Sequence, residues 1–229
     1  MSGSDTVSQL QNLLDRLIPS GASAVARGIA DQEEAFEYPE ERQHLSKAVL
    51  KRRNEFIAGR HCARTALSKM GVIPGALPPD KTRAPQWPEG VIGSISHTVG
   101  LCCAIVAYRN AVTCLGVDLE MTTRISPGVI NHVVHPLEAD FVGADQARGS
   151  LIFSAKEAFF KAQFPTWAAW PNFKDLVLQA DLSAGRLKVV QAAPNLPASL
   201  RSAALKMQFR YAFTGNYVLV VCWLQGNDE

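Results

Sequence analysis

The sequence predicts an α+β fold, because segments with helical periodicity precede groups of strand-like segments, and this order occurs twice along the chain. The two halves are of similar size, and each holds its own helices and its own antiparallel hairpins. Within residues 206–213, apolar side chains at every second position give the period of a half-buried antiparallel strand. The order of the elements therefore favours an α+β fold over a doubly wound parallel sheet.

The first half begins with a helix, since apolar residues recur at helical spacing until residues 19–21 end the pattern. A second helical region, in two pieces, ends at Gly71 as its C-cap. Five prolines between residues 74 and 88 predict an irregular loop. The predicted elements of this half are helices at 7–18 and 39–70 and strands at 25–29, 91–96 and 101–108.

The second half is predicted to start with a strand that follows a turn at residues 109–111. Three helical patterns come next, and Pro165 is expected to close the last of them, because proline cannot donate a helical hydrogen bond. Four further strand-like segments complete the chain. The predicted elements are helices at 128–134, 137–145 and 150–164 and strands at 113–119, 175–180, 186–191, 206–213 and 217–224.

Length, composition and charge limit the classes of function. A chain of 229 residues can form one large domain or two small ones, and 47% hydrophobic with 19% charged residues is ordinary for a globular protein. A formal net charge of +2 is too small to indicate nucleic-acid binding. Five cysteines without a Cys-x-x-Cys pair fit buried thiols in a reducing compartment better than disulfides or a zinc site.

Neither a secretory signal nor a membrane segment is predicted. The N-terminus lacks a basic stretch followed by an apolar one, and the most apolar run, 101–108, is far too short to span a bilayer. We therefore expect a cytoplasmic protein whose partners include neither a membrane nor a nucleic acid.

Three carboxylates and a lysine form the first candidate site. Asp118 and Glu120 alternate at a strand end and so share a face of the sheet. Glu157 and Lys161 are four residues apart and so share a face of a helix. If the two elements meet, the carboxylates suit Mg²⁺, which prefers oxygen ligands and phosphate. Either pair alone is more often a solvated strand end or a charged helix face. The hypothesis of a Mg²⁺ site therefore depends on the presence of both pairs.

A basic segment from Lys47 to Arg64 forms the second candidate site. Arg52 and Arg60 are eight residues apart, close to two helical turns, so both could face one phosphate. Arg53 and Arg64 do not have this two-turn spacing and are interpreted as surface residues. Without further motifs, a solvated helix face would explain the segment equally well.

Two more segments carry polar residues of interest. Ser96 and His97 lie at the end of a predicted strand, where a single histidine is by default a polar loop residue. Lys81 and Arg83 lie in the proline-rich loop that precedes this strand.

Four motifs together resemble the 4'-phosphopantetheinyl transferases of the larger monomeric type, which activates surfactin and enterobactin synthetases, and most closely its actinobacterial branch. The resemblance covers about residues 45–170. Leu119 stands where the family often has isoleucine and Phe153 where it often has tryptophan, and neither departure affects a catalytic position. The motifs are Gly-Val-Asp-Leu-Glu at 116–120, Phe-Ser-Ala-Lys-Glu-Ala-x-x-Lys at 153–161, Gly-Ser-Ile-Ser-His at 93–97 and Arg-x-x-x-Phe-x-x-x-Arg at 52–60.

The resemblance implies a monomer of two related α+β subdomains around a pseudo-twofold axis, each a small antiparallel sheet packed with helices, with the active site in the cleft between them. The implied domains are residues 1–117 and 118–229. The first would contact the 3'-phosphate of coenzyme A, and the second would hold the metal site and the catalytic helix.

The resemblance also implies the reaction: transfer of the 4'-phosphopantetheine group of coenzyme A to a serine of acyl or peptidyl carrier proteins of fatty-acid, polyketide or non-ribosomal peptide synthases, with release of 3',5'-ADP. Mg²⁺, for which Mn²⁺ can substitute, would be held by Asp118, Glu120 and Glu157. The implied catalytic residues are Glu157, Lys161 and Asp118, and the implied contacts to coenzyme A are Arg52, Arg60, Lys81, Arg83, Ser96, His97, Lys156 and Lys161.

Four alternatives stay open. The base for the serine proton is either Glu157 or a metal-bound water, and the loop contact to coenzyme A is either Lys81 or Arg83. A different Mg²⁺-dependent coenzyme A phosphohydrolase would use the same acids without any carrier protein. A non-catalytic coenzyme A-binding module would keep the arginines and would not need the three acids.

Overall fold

The computed structural model describes residues 3–32 and 34–226. The chain divides into two compact units, one that ends at Arg109 and one that begins at Asn110. The predicted boundary at 117/118 falls inside a strand that belongs wholly to the second unit, so the structural division lies earlier, in the turn before that strand. The assignment of a separate task to each domain stays a prediction.

The first unit combines a three-stranded antiparallel sheet with two longer helices and one short helix. Its elements are α1 (Gly3–Leu17), β1 (Ser23–Gly28), α2 (Pro39–Arg42), α3 (Leu50–Lys69), β2 (Val91–Thr98) and β3 (Leu101–Tyr108), with a 3₁₀ turn at Gln43–Leu45. The sheet order β1–β3–β2 puts the most apolar strand in the centre, where seven of its eight residues are buried. The core lies between this sheet and α3.

The second unit contains a five-stranded antiparallel sheet of order β4–β8–β7–β6–β5. Its elements are β4 (Val112–Met121), α4 (Pro127–Val133), α5 (Ala139–Val142), α6 (Gln146–Trp167), β5 (Leu176–Asp181), β6 (Arg186–Ala192), α7 (Ala198–Ala204), β7 (Gln208–Thr214) and β8 (Tyr217–Gln225), with 3₁₀ turns at Pro136–Glu138 and Phe173–Asp175. The long helix α6 packs across β4 and β8, and its buried face forms the centre of the core.

Helices combined with two antiparallel sheets confirm the predicted α+β class. The sheets differ in size, three strands against five, and the pseudo-twofold relation stays a prediction. All five cysteines are buried, as predicted. None of the described helices is long and apolar enough to cross a membrane.

The prediction that Pro165 closes the last long helix is wrong. Pro165 lies inside α6, which continues to Trp167. In the final turn, the proline removes one hydrogen bond and leaves the rest of the helix intact. The helix ends where Ala168 adopts a left-handed conformation, with φ of 46°, and donates its N–H to the Phe164 carbonyl at 2.9 Å.

Helix α7 was not predicted from the sequence. It has seven residues, too few for a helical period to emerge from the pattern of apolar residues. Leu200 and Ala204 of this helix are fully buried in the core of the second unit.

Candidate active site

Asp118 and Lys161 meet where α6 crosses β4. Nζ of Lys161 donates to Oδ1 of Asp118 at 2.7 Å and to the backbone carbonyl of Val117 at 3.1 Å. The Asp118 side chain is almost fully buried, whereas that of Lys161 is 27% exposed. The strand acid and the helix lysine that the sequence pairs are therefore neighbours within the second unit.

Gly116 allows α6 to approach β4 this closely. A Cβ atom on Gly116 would lie 2.0 Å from the carbonyl oxygen of Ala158 and 2.9 Å from the backbone nitrogen of Ala162. Both are backbone atoms of the helix, which cannot rotate out of the way. Residues 116 and 118 lie two apart on a strand and share a face. Any side chain at 116 would thus push the helix away from Asp118.

Glu157 is half-buried, and its pKa is raised above the ordinary value for a glutamate. Burial is the largest cause; the charges of Asp118 and Glu120 act in the same direction, and the positive Lys161 acts against them. Asp118 and Glu120 are therefore close enough to Glu157 for their charges to repel its carboxylate. A divalent cation would relieve this repulsion, so this all-oxygen donor set fits Mg²⁺ chemically.

The same carboxylates are engaged with groups of the protein. Asp118 accepts from Lys161, and Oε1 of Glu120 accepts from the Met121 N–H at 2.8 Å and lies 3.6 Å from the Arg124 guanidinium. Within residues 3–32 and 34–226, no three His, Cys, Asp or Glu side chains are grouped as ready-made metal ligands. The metal site of Asp118, Glu120 and Glu157 thus stays a prediction, and it requires side-chain rearrangement.

A narrow cavity of about 50 Å³ lies beside Glu157. Phe160 of α6 forms part of its wall, together with Pro171 and Phe173 from the segment that follows the helix. Trp170 is 75% exposed and packs against Phe160 with ring centroids 5.4 Å apart. This apolar wall explains why burial dominates the pKa of the carboxyl.

Lys156 is engaged inside the second unit. Its side chain is 2% exposed, and its Nζ donates to Oε2 of Glu138 at 2.7 Å and to the Val133 carbonyl at 2.9 Å. Burial lowers the pKa of Lys156, and the negative Glu138 acts against that shift. The family resemblance implies a contact between this lysine and coenzyme A, which stays a prediction, whereas in the structure Lys156 forms a buried ion pair.

In the first unit, Arg52 and His97 lie against each other. Nη1 of Arg52 is 3.1 Å from Nε2 of His97 and 3.4 Å from Oε2 of Glu55. Nδ1 of the same histidine is 3.8 Å from that carboxylate oxygen. The side chain of Arg52 is 49% exposed, so a ligand can reach its guanidinium. The neighbouring Ser96 is buried on β2.

Arg60 does not share the exposed position of Arg52. Its Nε donates to the Leu77 carbonyl at 2.6 Å, and its guanidinium lies 4.2 Å from the ring centroid of Phe56. Burial lowers the pKa of Arg60 to about 10, so the group is still charged at neutral pH. Arg52 and Arg60 are about two helical turns apart, and of these two only Arg52 is accessible to a ligand.

The interpretation of Arg64 as a surface residue is wrong. Arg64 is 4% exposed and pairs with Glu37 through Nε and with Glu41 through Nη1, both at 2.7 Å. Glu41, on α2, is also buried and accepts the N–H of Leu77 at 2.8 Å. Both acids lie more than twenty residues before Arg64 in the sequence, so their approach depends on tertiary structure.

Lys81 and Arg83 lie on the tip of a small loop that Asp80 organises. Oδ1 of Asp80 accepts from the N–H of Thr82 at 2.7 Å and from that of Ala84 at 3.0 Å. Arg83 adopts a left-handed conformation with φ of 71°. Both basic side chains are exposed, so the structure leaves the choice between them open.

Sequence reasoning missed two residues of this site. Gly116 carries a recognisable signal, because a glycine inside a strand often marks the close approach of another backbone. Glu138 carries none: its local sequence suggests an exposed acid, and its burial follows from contacts with three separate segments.

Two family models match this chain. The family model of the 4'-phosphopantetheinyl transferase N-terminal domain matches residues 40–107, and that of the 4'-phosphopantetheinyl transferase superfamily matches residues 114–222. The match to a solved structure of an ACPS–CoA complex from Chronobacterium ammoniagenes covers 50% of this chain and 97% of the chain in that structure, with 24% sequence identity and a TM-score of 0.40.

Two curated relatives extend the match. The chain is 32% identical to 4'-phosphopantetheinyl transferase Npt of Nocardia iowensis, over 76% of this chain and 79% of the relative. It is 40% identical to 4'-phosphopantetheinyl transferase PptT of Mycobacterium tuberculosis, over 60% of this chain and 62% of the relative, less than two thirds of that protein's length. The chain therefore belongs to the 4'-phosphopantetheinyl transferase superfamily.

Proposed function

We propose that this chain transfers the 4'-phosphopantetheine group of coenzyme A to a serine of acyl or peptidyl carrier proteins of fatty-acid, polyketide or non-ribosomal peptide synthases. One observation carries the proposal: Lys161 and Asp118 are in contact, and both bear electrostatically on a half-buried Glu157. A lysine beside clustered carboxylates suits transfer from a pyrophosphate, because such transfer depends on alignment and charge neutralisation.

Coenzyme A is proposed to be held partly through its 3'-phosphate by Arg52 and His97. The support is an exposed guanidinium, suited to phosphate oxygens, that lies 3.1 Å from the imidazole of His97. Contacts from Arg60, Ser96, Lys81 and Arg83 stay predictions.

Asp118, Glu120 and Glu157 would hold Mg²⁺, or Mn²⁺ in its place. When bound, the cation would neutralise charge on the pyrophosphate of coenzyme A. The support is that burial raises the pKa of Glu157 and that the charges of Asp118 and Glu120 add to this shift, as neighbouring carboxylates do.

Glu157 is proposed to take the proton from the attacking serine. A raised pKa brings a carboxylate closer to the range in which it works as a general base. The serine oxygen attacks the β-phosphorus, the bond to the bridging oxygen breaks, and 3',5'-ADP leaves. Lys161, one turn after Glu157, would stabilise the negative charge on the leaving group.

Mass spectrometry of an apo carrier protein tests this function. The carrier is incubated with the enzyme, coenzyme A and Mg²⁺, and we expect its mass to rise by one phosphopantetheine group on the serine. Omission of Mg²⁺ with a chelator should prevent the gain. Release of phosphopantetheine into solution without carrier modification would instead indicate a phosphohydrolase. Binding of coenzyme A without any turnover would indicate a binding module.

A further inference from the structure

Glu138 is a fully buried carboxylate that joins three segments of the second unit. Its Oε1 accepts the N–H of Leu178 on β5 at 2.7 Å. Its Oε2 accepts the N–H of His135 at 2.8 Å and the Nζ of Lys156 at 2.7 Å. Both oxygens are thus used, and the negative charge faces a buried ammonium.

Lys156 extends this junction to a fourth segment. Its Nζ also donates to the carbonyl of Val133, the last residue of α4, at 2.9 Å. One side chain of α6 is therefore tied to the end of α4, to the 3₁₀ turn at Pro136–Glu138 and, through Glu138, to β5.

The next residue along α6 is Glu157, the proposed general base. Successive helical residues point about 100° apart, and a side-chain end lies about 5–6 Å from the helix axis. A rotation of α6 by about 20° would therefore move the carboxylate by about 2 Å. Displacements of about 1 Å can cost on the order of 100-fold in rate. The rotation of α6 thus has to be fixed.

The contact at Gly116 does not fix this rotation alone. It sets how near α6 lies to β4, through the backbone of Ala158 and Ala162. A close contact between backbones opposes approach, whereas it opposes turning about the helix axis less. A directional hydrogen bond to a buried charge opposes turning, because the charge loses its partner if the helix rotates.

We infer that Glu138 is a positioning residue for the transfer reaction: through Lys156 it fixes the rotation of α6 and so directs Glu157 toward Asp118. The inference rests on the proposed function for the role of Glu157. It assigns Lys156 to the same positioning task in place of a contact with the phosphates of coenzyme A.

The two roles of Lys156 predict different kinetics. A lysine that binds phosphate directly would, when replaced, raise the KM for coenzyme A, and loss of Glu138 would leave that lysine in place. A lysine that acts through Glu138 forms one unit with it, so removal of either residue has the same effect and removal of both adds little.

A double-mutant cycle tests the inference. The variants are Glu138→Gln, Lys156→Met and the double variant, with Leu187→Ala on β6 as a core-truncation control, because Leu187 is buried and lies on a strand with few contacts to α6. Transfer kinetics and the Kd for coenzyme A are measured at a temperature where each variant is folded. We expect each member of the pair to lose at least about 10-fold in kcat with the Kd within about 3-fold of wild type.

The kcat of the double variant should be no lower than that of the less active single variant. Leu187→Ala should retain the wild-type kcat. If Glu138→Gln does not fold, the double variant, which leaves no uncompensated buried charge, carries the same kcat and Kd comparison. A wild-type kcat in Glu138→Gln, or a loss confined to coenzyme A affinity in Lys156→Met, would overturn the inference.

Hydrogen exchange separates failure of this inference from failure of the proposed function. Amides around residues 153–161 of α6 should exchange at least about 10-fold faster in Glu138→Gln than in wild type, beyond the acceleration that loss of global stability alone gives, which Leu187→Ala calibrates. If wild type transfers nothing to any carrier, the function fails, while this exchange result still decides whether Glu138 anchors α6. Unchanged exchange in Glu138→Gln would contradict the anchoring itself.

Discussion

The two long helices, α3 and α6, can be compared directly, because each lies on the antiparallel sheet of its own unit and they have 20 and 22 residues. In both, a buried glutamate from a short helical segment pairs with a cation on the helix at 2.7 Å: Glu41 with Arg64 and Glu138 with Lys156. Each glutamate also accepts a backbone N–H from a further segment. The two helices are thus anchored in the same way.

They differ in the charge that lies next to the anchored face. Near its start, α3 presents Arg52, half-exposed and in contact with His97. In its middle, α6 holds Glu157, half-buried among apolar side chains and close to two other carboxylates. An exposed cation suits the binding of an anion, whereas a buried acid gains a raised pKa. On the proposed function, similar helix anchoring would support a binding task in one unit and a chemical task in the other.

Replacement of the α6 carboxylate should have the largest effect. Glu157→Gln removes the proposed base without a change in size, and we expect kcat for carrier modification to fall by about 10²–10⁴-fold. The Kd for coenzyme A should change little in the absence of metal. A Glu157→Gln enzyme with wild-type turnover would remove the distinction between the two helices.

Loss of the α3 cation should have a smaller effect that is confined to binding. A hydrogen bond to a charged group contributes about 1.5–3 kcal/mol. Arg52→Ala should therefore weaken the use of coenzyme A by roughly 10- to 150-fold, at 1.4 kcal/mol per decade. Dephospho-coenzyme A serves as the control donor, since it lacks the 3'-phosphate.

Wild type should strongly prefer coenzyme A over dephospho-coenzyme A, and Arg52→Ala should show a narrower preference. Equal use of both donors by the wild-type enzyme would mean that Arg52 and His97 do not contact the 3'-phosphate.

Two glycines test how closely each helix is packed. A Cβ on Gly116 meets backbone atoms of α6 at 2.0 Å, whereas a Cβ on Gly59, within α3, meets only the Cγ2 methyl of Ile95 at 2.8 Å. We expect Gly116→Ala to lower the free energy of unfolding by about 1–3 kcal/mol, as overpacking does. In Gly59→Ala, a shift of the Ile95 side chain and a gain of about 1 kcal/mol in helix propensity should leave stability near wild type.

Urea denaturation of the two glycine variants measures this contrast, with kcat as the second readout for Gly116→Ala. Equal destabilisation of both variants would indicate that α6 packs no more rigidly than α3.

The smallest effect concerns the pH dependence of stability. Because the pKa of Glu157 is raised in the folded state, its ionisation above about pH 4.3, the ordinary glutamate value, costs stability. In the presence of a chelator, Glu157→Gln should therefore have a higher Tm than wild type at pH 8. This difference in Tm should vanish at about pH 4, where the folded wild type carries a neutral Glu157, as the variant carries a neutral glutamine. Thermal denaturation at the two pH values measures it; a lower Tm of the variant at pH 8 would contradict the direction of the shift.

The sequence predicted the α+β class and most elements, because long periodic segments such as α3, α6 and β3 carry their own pattern. It also identified the acids and the lysine whose contact depends on a strand and a helix that are each recognisable. The sequence did not predict the burial of Arg64 or of Glu138, because burial of a charge depends on partners that are distant in the chain. The short helix α7 and the continuation of α6 past Pro165 depend on packing in the same way.

Single-turnover transfer to an apo carrier over a range of coenzyme A concentrations compares the two helices most directly. We expect Arg52→Ala to approach the wild-type rate at saturating coenzyme A, because the exposed cation of α3 contributes to binding. Glu157→Gln should stay slow at every concentration, because the buried acid of α6 takes part in the chemical step. If excess coenzyme A restored Glu157→Gln but not Arg52→Ala, the division of tasks between α3 and α6 would be contradicted.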